Sequence, residues 1–335
     1  ADGRLNLSAT DMDLDIVGSV EAEVANPGAL TAPALTLYEI IRRLPDGSQV
    51  EIDSDGMDGQ LALRSGRSNF TLACLPVEDF PAIDGANLPH AFKLSAGDLR
   101  VLIDRTQFAI STEETRYYLN GIYLHPAERD GVDVMRAVAT DGHRLASAEV
   151  PLPEGAAGMP GVIVPRKTVT EIRKLIDESG DEIDIALSDT KIRFAFDDAV
   201  MTSKLIDGTF PEYERVIPSN NDKELEVDRK SFAAAVDRVS AISNEKSRAI
   251  KLELKNDVLI LSASSPDSGS AIEEVEVNYR GEGMEIGFNS RYLLDITKQI
   301  EGDNARLSLA DAASPTIVRE VDDESALYVL MPMRV

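Results

Sequence analysis

Alternating apolar and polar positions divide the chain into short strands, and stretches with helical spacing separate them. Residues 4–9 and 12–24 alternate with a period of two, and residues 183–187 and 192–196 alternate on either side of a Ser-Asp-Thr turn, which is typical of a hairpin. Antiparallel strands that carry separate helices predict an α+β fold rather than alternating β-α-β units. The pattern predicts helices at 33–44, 95–108, 165–178, 229–242 and 290–300, and further strands at 50–53, 61–64, 69–75, 117–125, 132–150, 250–263, 271–279, 284–288, 305–310 and 315–321.

One short helical stretch occurs three times, at residues 33–44, 165–176 and 289–300. Each copy has an acidic residue, an isoleucine directly after it, and a basic residue two positions after the isoleucine. The acidic residues are Glu39, Glu171 and Asp295, and the basic residues are Arg42, Lys174 and Lys298. Chance similarity between amphipathic helices would explain one such pair. Three copies at offsets of 132 and 124 residues are too far apart for a solenoid and indicate a repeated domain.

The segments around this helix repeat as well. Residues 5–24, 135–150 and 259–277 each show a strand, a polar turn and a second strand, and Thr10-Asp11 lies 130 residues before Thr140-Asp141. We therefore predict three domains of one design, each an antiparallel sheet with two helices. These domains would span residues 1–88, 89–217 and 218–335. The first lacks an opening helix and strand that the others have, so we expect an N-terminal truncation.

The net charge of −25 by itself disfavours DNA binding, because Lys and Arg are the residues that bind phosphate. The distribution of charge changes this picture. Thirteen basic and nine acidic residues lie in the helical segments 33–44, 95–108, 165–178, 228–241 and 290–300. The remainder is strongly acidic, so helices that share one surface could face a polyanion. Ordinary salt-bridged helix faces explain the same counts, and charge alone leaves both interpretations open.

Signatures of an active site are weak. His90, His125 and His143 do not stand at metal-ligand spacing with each other or with Cys74, and the sequence has no glycine-rich phosphate loop. Asp141 and His143 could form the acid–base pair of a hydrolase. No nucleophile stands in a matching context, so a turn with a polar side chain is the favoured interpretation. We expect no metal, no cofactor and no catalysis.

Composition indicates a globular protein of the cytoplasm. A hydrophobic fraction of 43% with 28% charged residues suffices to bury a core. A single cysteine excludes a disulfide framework and fits a reducing compartment. No segment has the length of a membrane span, and no signal segment opens the chain.

Two stretches have features beyond an ordinary core. The tail YVLMPMRV, residues 328–335, is apolar and methionine-rich, which suits either a last core strand or an adaptable surface for partner side chains. Arg116 precedes Tyr117 and Tyr118, which we expect on a strand with at least one ring exposed. Those rings could stack on nucleic acid or cap a sheet edge.

Several motifs together resemble the bacterial sliding clamp, the beta subunit of DNA polymerase III. They are RYYLNG (116–121), ATDGHRLA (139–146), VIVPRK (162–167), SKLIDGTFP (203–211), SNEK (243–246), MEIGFN (284–289) and VLMPMR (329–334). The resemblance runs in order along all 335 residues. It implies a DNA clamp fold in which two chains of three domains each associate head to tail as a ring, with helices lining the hole. Such a ring slides on DNA and tethers the replicative polymerase, which confers processivity.

The resemblance also assigns sites. It implies that residues facing duplex DNA, without sequence preference, are Arg42, Arg43, Arg100, Arg105, Tyr117, Tyr118, Arg166, Lys167, Arg173, Lys174, Lys230, Arg238 and Lys298. It implies a pocket for short peptides of the polymerase, the clamp loader, translesion polymerases and repair proteins, with a wall of Leu119, Thr140, Gly142, His143, Arg144, Leu145, Pro211, Arg215, Val216, Asn289, Tyr292, Val329, Leu330, Met331, Pro332, Met333 and Arg334. It implies a subunit interface of Phe70 and Leu72 with Ala241 and Ile242.

These implications predict a non-enzymatic homodimer of the bacterial cytoplasm that associates with the nucleoid during replication. Two other functions remain open on the residues alone. An acidic three-domain adaptor could bind peptides without encircling DNA, and a hydrolase could use Asp141 with His143. Glu113 and Glu114 precede Arg116 and make an acidic approach to the two tyrosines, which opposes their contact with DNA.

Overall fold

The computed structural model describes residues 3–54, 59–81, 83, 87–177, 180–244 and 247–335. Residue 178 of the predicted third helix and residues 245 and 246 of the SNEK motif lie outside the described residues. Contacts divide the chain into two compact units. The first comprises Ala1–Asn87 with Arg193–Lys204, and the second comprises Leu88–Ile192 with Leu205–Val335.

The five predicted helices are present in their predicted order, and the structure adds strands that the sequence analysis does not predict at His90–Ser95, Val162–Pro165, Ala199–Lys204 and Lys223–Asp228. Residues 3–87 contain β1 (Arg4–Thr10), β2 (Leu14–Glu21), α1 (Ala34–Ile41), β3 (Glu51–Asp53), β4 (Gln60–Ser65) and β5 (Ser68–Ala73). Residues 88–204 contain β6 (His90–Ser95), α2 (Ala96–Asp104), β7 (Gly121–Arg129), β8 (Val132–Thr140), β9 (Arg144–Pro151), β10 (Val162–Pro165), α3 (Arg166–Ile176), β11 (Glu182–Leu187), β12 (Lys191–Ala195) and β13 (Ala199–Lys204). Residues 205–335 contain β14 (Lys223–Asp228), α4 (Arg229–Ser240), β15 (Ala249–Lys255), β16 (Val258–Ser265), β17 (Gly269–Asn278), β18 (Met284–Asn289), α5 (Ser290–Thr297), β19 (Asn304–Leu309), β20 (Thr316–Glu320) and β21 (Ala326–Leu330).

The first unit holds two antiparallel sheets. β2 pairs with β1 on one side and with β13 on the other, and β4 pairs with β3 and β5. Leu61, Leu63 and Leu72 form the buried centre of this unit, and Leu37 and Ile40 of α1 pack on it. The helix is therefore fixed by its apolar face against the β3–β5 sheet.

The second unit is built on a sheet of twelve strands in the order β10-β7-β8-β9-β21-β20-β19-β14-β17-β16-β15-β18. β6 and β11 pair antiparallel within the same unit. Three of its four described α-helices begin at capping side chains: Ser95 accepts from the amide of Asp98, as predicted, and Asp228 and Asn289 cap α4 and α5, whereas α3 follows Pro165 and has no such cap. No helix of the described part of the chain is both long and apolar enough to span a bilayer.

Equivalent strands pair in equivalent register, which supports the predicted internal repeat. Gly18 of β2 lies opposite Ala199 of β13, and Ala148 of β9 lies opposite Ala326 of β21. Gly18 and Ala148 are 130 residues apart, the spacing that separates Thr10 from Thr140. In both cases the second strand of a hairpin pairs with a strand from later in the chain.

The repeated helix position also has a repeated contact. The carboxylates of Glu39, Glu171 and Asp295 each pair with the basic residue three positions later, at 3.5, 2.9 and 3.9 Å. Residues three apart lie on one face of a helix, so the sequence pattern becomes an ion pair in every copy. The three helices therefore share an electrostatic design as well as a sequence pattern.

The structure corrects one element with consequences for the site. Tyr117 and Tyr118 do not lie on a strand: residues Glu114–Leu119 form a 3-10 helix, and the strand begins at Gly121. The chain bends at Asn120, between the 3-10 helix and the strand. The next residue, Gly121, has no room for a side chain, because an added Cβ would lie 2.3 Å from the carbonyl oxygen of Val164. The tyrosines are thus presented from a turn rather than from a sheet face.

Candidate functional site

The turn between β8 and β9 is held by side-chain acceptors. Thr140 Oγ1 accepts from the amide of Gly142 at 3.1 Å, and Asp141 Oδ1 accepts from the amides of His143 and Arg144 at 2.9 and 3.1 Å. Gly142 has a φ of 87°, and an added Cβ would lie 2.5 Å from Nη1 of Arg116. The Asp141 carboxylate therefore builds the turn and is not arranged as the base of an acid–base pair with His143.

Arg144 lies beneath this turn with three charged or polar partners. Its guanidinium donates to Asp141 Oδ2 at 3.1 Å, to Asp295 Oδ2 at 2.7 Å and to the carbonyl of Phe108 at 2.6 Å, and it lies 4.4 Å from the ring centre of Tyr292. Only 9% of the residue is exposed. The role of Arg144 in the pocket wall stays a prediction; in the structure its guanidinium is paired inside the protein and lies against the ring of Tyr292.

The chain's last residues leave the sheet beside this turn. Val329 of β21 pairs with Leu145 of β9, and beyond it the Met331 amide donates to the carbonyl of His143 at 3.0 Å. The Met333 amide donates to the carbonyl of Gly287 at 2.7 Å. Residues 326–330 thus form β21. Residues 331–333 contact the backbone of both His143 and Gly287, and Met331 is 40% exposed.

Gly287 permits this position of the tail. A Cβ built on Gly287 would lie 2.6 Å from the carbonyl oxygen of Met333 and 2.4 Å from Cγ1 of Val335. Backbone atoms cannot yield as a flexible side chain can, so a larger residue at 287 would displace the tail.

An apolar cluster forms the floor of the site. It contains Leu119, Val138, Leu145, Ile163, Phe210, Tyr213 and Val329. Three of the predicted wall residues, Leu119, Leu145 and Val329, are at most 4% exposed, and Leu330 is fully buried. Leu119, Leu145 and Val329 belong to the floor because they pack in this cluster, whereas Leu330 follows Val329 on β21 and its side chain lies on the opposite face of the sheet.

The exposed predicted residues surround this floor. His143 stacks near the ring of Tyr292, with ring centres 6.4 Å apart. Val216 is 50% exposed and is the last residue of the 3-10 helix Tyr213–Val216. Pro211 precedes this helix by two residues. The remaining predicted wall residues are Thr140, Gly142, Arg215, Asn289, Pro332 and Arg334; Arg215 pairs with Glu212, and the Asn289 side chain is used as the cap of α5.

A second candidate surface lies at the start of α3. A groove of about 430 Å³ is lined by Tyr117, Asn120, Pro165, Arg166, Lys167, Thr170, Glu171 and Ile206. Tyr117 is 54% exposed and meets the ring of Tyr118 edge-on, with centres 5.9 Å apart. Pro165 precedes the helix and gives its first amides no side-chain cap, so they add positive potential beside Arg166 and Lys167.

Most predicted DNA-facing residues carry an ion pair in the isolated chain. The pairs are Arg42 and Arg43 with Glu39, Arg100 with Asp177, Arg173 with Asp104 and Asp177, Lys174 with Glu171, Arg238 with Glu273, and Lys298 with Asp295. Lys230 is exposed at the start of α4. Exposed pairs contribute about 0–1 kcal/mol, so phosphate can compete for these cations.

Arg105 is the exception among them. It is 9% exposed, and its Nη1 donates to Asp323 Oδ2 at 2.8 Å and to Ser325 Oγ at 2.7 Å. Its contact with DNA stays a prediction, and in this chain the guanidinium is buried against the segment before β21. Local sequence patterns do not show this contact, because Asp323 lies 218 residues away.

Part of the predicted acidic approach to the tyrosines is neutralised, because Arg116 pairs with Glu113 but not with exposed Glu114. Arg116 donates to Glu113 Oε2 at 2.8 Å and to the carbonyl of Asp141 at 3.0 Å. The hydrogen bond from Arg116 lowers the pKa of the Glu113 carboxyl below its usual value. Glu113 is thus held as a partner of Arg116 beside the β8–β9 turn.

The predicted subunit interface has one residue that is already buried. Leu72 is 8% exposed in the core of the first unit, so it can support an interface but contributes little surface to it; Phe70 packs partly on the same core. Ala241 is exposed and Ile242 is half-buried, directly after α4. The sequence analysis does not single out Ile272, which is 74% exposed on the part of β17 that, among the described residues, pairs with β16 only. Within the described residues, no group of three or more metal-ligating side chains comes together.

The chain repeats an antiparallel sheet that carries helices, and equivalent strands of the repeats pair in equivalent register. This architecture is that of the DNA clamps, and the comparisons with known proteins agree. Family models of the DNA polymerase III beta subunit match the chain three times: the N-terminal domain at residues 1–84, the central domain at 93–212 and the C-terminal domain at 214–334. The beta sliding clamp of Caulobacter vibrioides is 52% identical over 332 residues, covering 99% of this chain and 89% of the relative. That of Escherichia coli is 38% identical over 335 residues, covering 100% and 90%.

Solved structures give the same result. The Caulobacter crescentus beta sliding clamp superimposes with a TM-score of 0.97 at 52% identity over 99% of this chain and 89% of that one. A Bartonella birtlesii clamp bound to griselimycin superimposes with a TM-score of 0.96 at 50% identity over 100% and 90%. The chain belongs to the DNA polymerase III beta subunit family, the bacterial beta sliding clamps. It is accordingly a DNA sliding clamp, a processivity subunit without catalytic activity, and the hydrolase alternative is excluded.

Proposed function

We propose that the chain acts as a ring-shaped homodimer that encircles duplex DNA and holds its partners by short peptides at the site below the tail. The observation that carries this proposal is the segment Met331–Met333, which lies across the carbonyls of His143 and Gly287 above a buried apolar floor. Exposed Met331 and Val216, with half-buried Tyr292, would contact a peptide that carries apolar anchors. The three family-model matches support domains at 1–88, 89–217 and 218–335.

The peptide site has a direct test. A labelled peptide with a glutamine followed by spaced leucine and phenylalanine should bind the intact chain saturably in fluorescence anisotropy. Deleting Met331–Val335 should weaken binding about thirtyfold or more, because it removes central apolar contacts. Gly287→Val, which leaves the tail sequence intact but displaces its backbone, should weaken binding in the same direction.

The control for that test is Gly131→Val at the tip of the β7–β8 hairpin, where an added Cβ meets nothing within 4 Å. It should bind as tightly as the wild type, although its φ of 82° disfavours the substitution locally. Absence of binding by the folded intact chain would contradict the proposal and favour the adaptor alternative with another ligand. Binding that survives the tail deletion would place the peptide elsewhere.

The strand pairing supports ring closure. Two pairs, β2 with β13 and β9 with β21, each join a hairpin of one proposed domain to the last strand of the next. The equivalent hairpin in the third domain is β16–β17, and the equivalent last strand in the first domain is β5. Among the described residues β5 pairs with β4 alone, and β17 has an unpaired outer edge over most of its length. Pairing β17 of one copy with β5 of another, twice, would close a ring of two chains.

Charge is complementary along these two edges. β17 carries Glu273, Glu274 and Glu276, and exposed Arg67 lies in the turn just before β5. Opposite charges across paired strands favour one alignment and one partner. We therefore extend the predicted interface of Phe70, Leu72, Ala241 and Ile242 to Arg67 and Ile272.

We propose the groove at the start of α3 as part of the DNA-facing surface. Arg166→Glu with Lys167→Glu should weaken binding to duplex DNA at low salt at least about tenfold. Two fewer phosphate contacts per chain should also lower the slope of log K against log salt by about two units per chain. Electrophoretic mobility shifts over a salt series would measure both quantities.

The matched control is Lys251→Glu with Lys255→Glu on β15, where two exposed lysines pair with Glu285 and Glu253. It makes the same change in net charge away from α3 and should leave DNA binding nearly unchanged. Equal losses in the two double variants would mean that net charge, not this surface, determines DNA binding.

The identity of individual partners stays a proposal. Polymerase, clamp-loader, translesion and repair peptides would share the one site, and duplex DNA would be held without sequence preference. Cytoplasmic location follows from the replication role of the relatives, and nucleoid association during replication stays a prediction.

A further inference from the structure

A buried polar cluster surrounds the hydroxyl of Tyr213. His125 Nε2 lies 3.0 Å from Tyr213 Oη, and Arg136 Nη1 donates to that oxygen at 2.9 Å. Tyr213 is 6% exposed and stands at the first position of the 3-10 helix Tyr213–Val216. Burial raises the pKa of Tyr213 to about 12, so the hydroxyl keeps its proton at neutral pH.

The donor and acceptor roles in this cluster follow from its geometry. His125 Nδ1 lies 2.8 Å from the carbonyl of Pro126, which can only accept, so Nδ1 carries a proton. Burial lowers the pKa of His125, which keeps the ring neutral and leaves Nε2 as an acceptor. The Tyr213 hydroxyl therefore accepts from Arg136 and donates to His125 Nε2, the nearer of its two acceptors at 3.0 Å; the other, Glu214 Oε1, lies at 3.4 Å.

The cluster is tied to the sheet on several sides. Arg136 Nε donates to Glu149 Oε1 at 2.6 Å, which connects β8 to β9, and Arg129 reaches the other oxygen of that carboxylate at 3.3 Å. His125 is on β7, and its ring stacks on that of Tyr123, with centres 4.6 Å apart. Three strands of the sheet thus fix the position of one hydroxyl group.

The aromatic ring of Tyr213 is located as firmly as its hydroxyl. It meets Phe210 edge-on with centres 6.3 Å apart, and Phe210 stacks parallel on Tyr123 at 4.9 Å. The amide of Tyr213 also donates to the carbonyl of Pro211 at 2.7 Å. The residue is thus held by its ring, its hydroxyl and its backbone at the start of a segment that is otherwise exposed.

We propose that Tyr213, held by His125 and Arg136, is a positioning residue for the wall of the peptide site. The segment it begins carries Arg215 and Val216, and none of the three polar groups belongs to the predicted wall. Because the hydroxyl ties this segment to β7 and β8, the wall is formed before a peptide arrives, and less ordering is needed on binding. This inference rests on the proposed function for its effect on peptide binding, and on the structure alone for its effect on the segment.

Tyr213→Phe tests the inference because it keeps the ring and removes the hydroxyl. Peptide affinity should fall about five- to tenfold, since a loosened wall must be ordered on binding. Hydrogen exchange at the amides of Arg215 and Ile217, which donate to Glu212 and Glu214 within the segment, should speed up about tenfold. Arg136→Met should show the same two effects, and the double variant should be little worse than either single one.

Tyr279→Phe is the matched control. Tyr279 is 1% exposed, and its hydroxyl donates to the carbonyl of Glu282 at 2.6 Å, so the substitution also removes one buried hydrogen bond. It should lower Tm by a similar amount while leaving peptide affinity and exchange at residues 215 and 217 unchanged. A merely structural role for Tyr213 would make the two variants behave alike in binding.

The outcomes separate this inference from the proposed function. If the wild type binds no peptide but Tyr213→Phe speeds exchange at the two amides, the proposed function fails and the positioning role stands. If exchange at the two amides stays unchanged, the positioning role is overturned whether or not the wild type binds. If the wild type binds the peptide, equal peptide affinities of Tyr213→Phe and Tyr279→Phe also overturn the positioning role.

Discussion

Replacing Arg144 with methionine should lower the free energy of unfolding by about 3–5 kcal/mol, the effect expected when one partner of a buried ion pair is removed. Asp295 would keep its charge while losing a guanidinium at 2.7 Å, and the carbonyl of Phe108 would lose a donor at 2.6 Å. Tyr292 would lose the cation beneath its ring, so peptide affinity should fall as well. Urea unfolding followed by circular dichroism measures the first effect, and anisotropy measures the second.

Arg291→Met is the control for Arg144→Met, because it removes a second cation from the same carboxylate. Arg291 lies 3.9 Å from Asp295, but its side chain is 65% exposed, and such a pair contributes at most about 1 kcal/mol. Adding Asp295→Leu to Arg144→Met should recover part of the lost stability by removing a carboxylate whose remaining partners, Arg291 and Lys298, are exposed cations at 3.9 Å. Equal effects of the two arginine substitutions would show that burial of Arg144 does not matter.

Ile272→Asp should dissociate the homodimer. Ile272 is 74% exposed on the part of β17 that pairs with β16 only, and we propose that this open edge pairs with β5 of a second copy. Burying an unpaired carboxylate at an interface costs several kcal/mol, and each 1.4 kcal/mol of lost binding free energy raises the dissociation constant about tenfold. A two-chain ring has two identical joints, so one substitution weakens both. Sedimentation velocity should show monomers at concentrations where the wild type is dimeric, and retention on circular DNA should be lost.

The matched control for Ile272→Asp is Val132→Asp, at the start of β8. Val132 is 63% exposed, so the change in exposed polarity and charge is similar, but it stands beside the β7–β8 hairpin turn rather than on an unpaired edge. This variant should remain a dimer. A dimeric Ile272→Asp protein would rule out β17 as the closing edge and require another interface.

Local sequence patterns were sufficient for the helices, most of the strands and the repeat. The period-two alternation located β11, β12 and β19 to within a few residues, because each of these strands has one face against a core. The matching acidic and basic positions of the three helices became ion pairs three residues apart. Such features depend on residues close in the chain, and the sequence shows them directly.

Features that depend on distant partners were not predictable in the same way. Arg105 and Arg173 both sit on predicted helices with basic character, yet only Arg105 is buried, because Asp323 and Ser325 happen to lie opposite it. Leu119 and Val329 were expected in an open wall and lie in its floor, because burial there depends on strand pairing across the site. The Tyr117–Tyr118 pair was placed on a strand because a 3-10 turn has no clear periodicity over six residues.

The repeated acid one turn before each basic residue affects how the ring would move along DNA. A phosphate that approaches Arg42, Lys174 or Lys298 must compete with a carboxylate already at 3.5, 2.9 or 3.9 Å. Each exchange swaps one weak ion pair for another, so the net energy change at any position on the duplex is small compared with the attraction of a free cation. The energy profile along the helix axis is therefore nearly flat, and one-dimensional diffusion meets little friction from the protein's own charges.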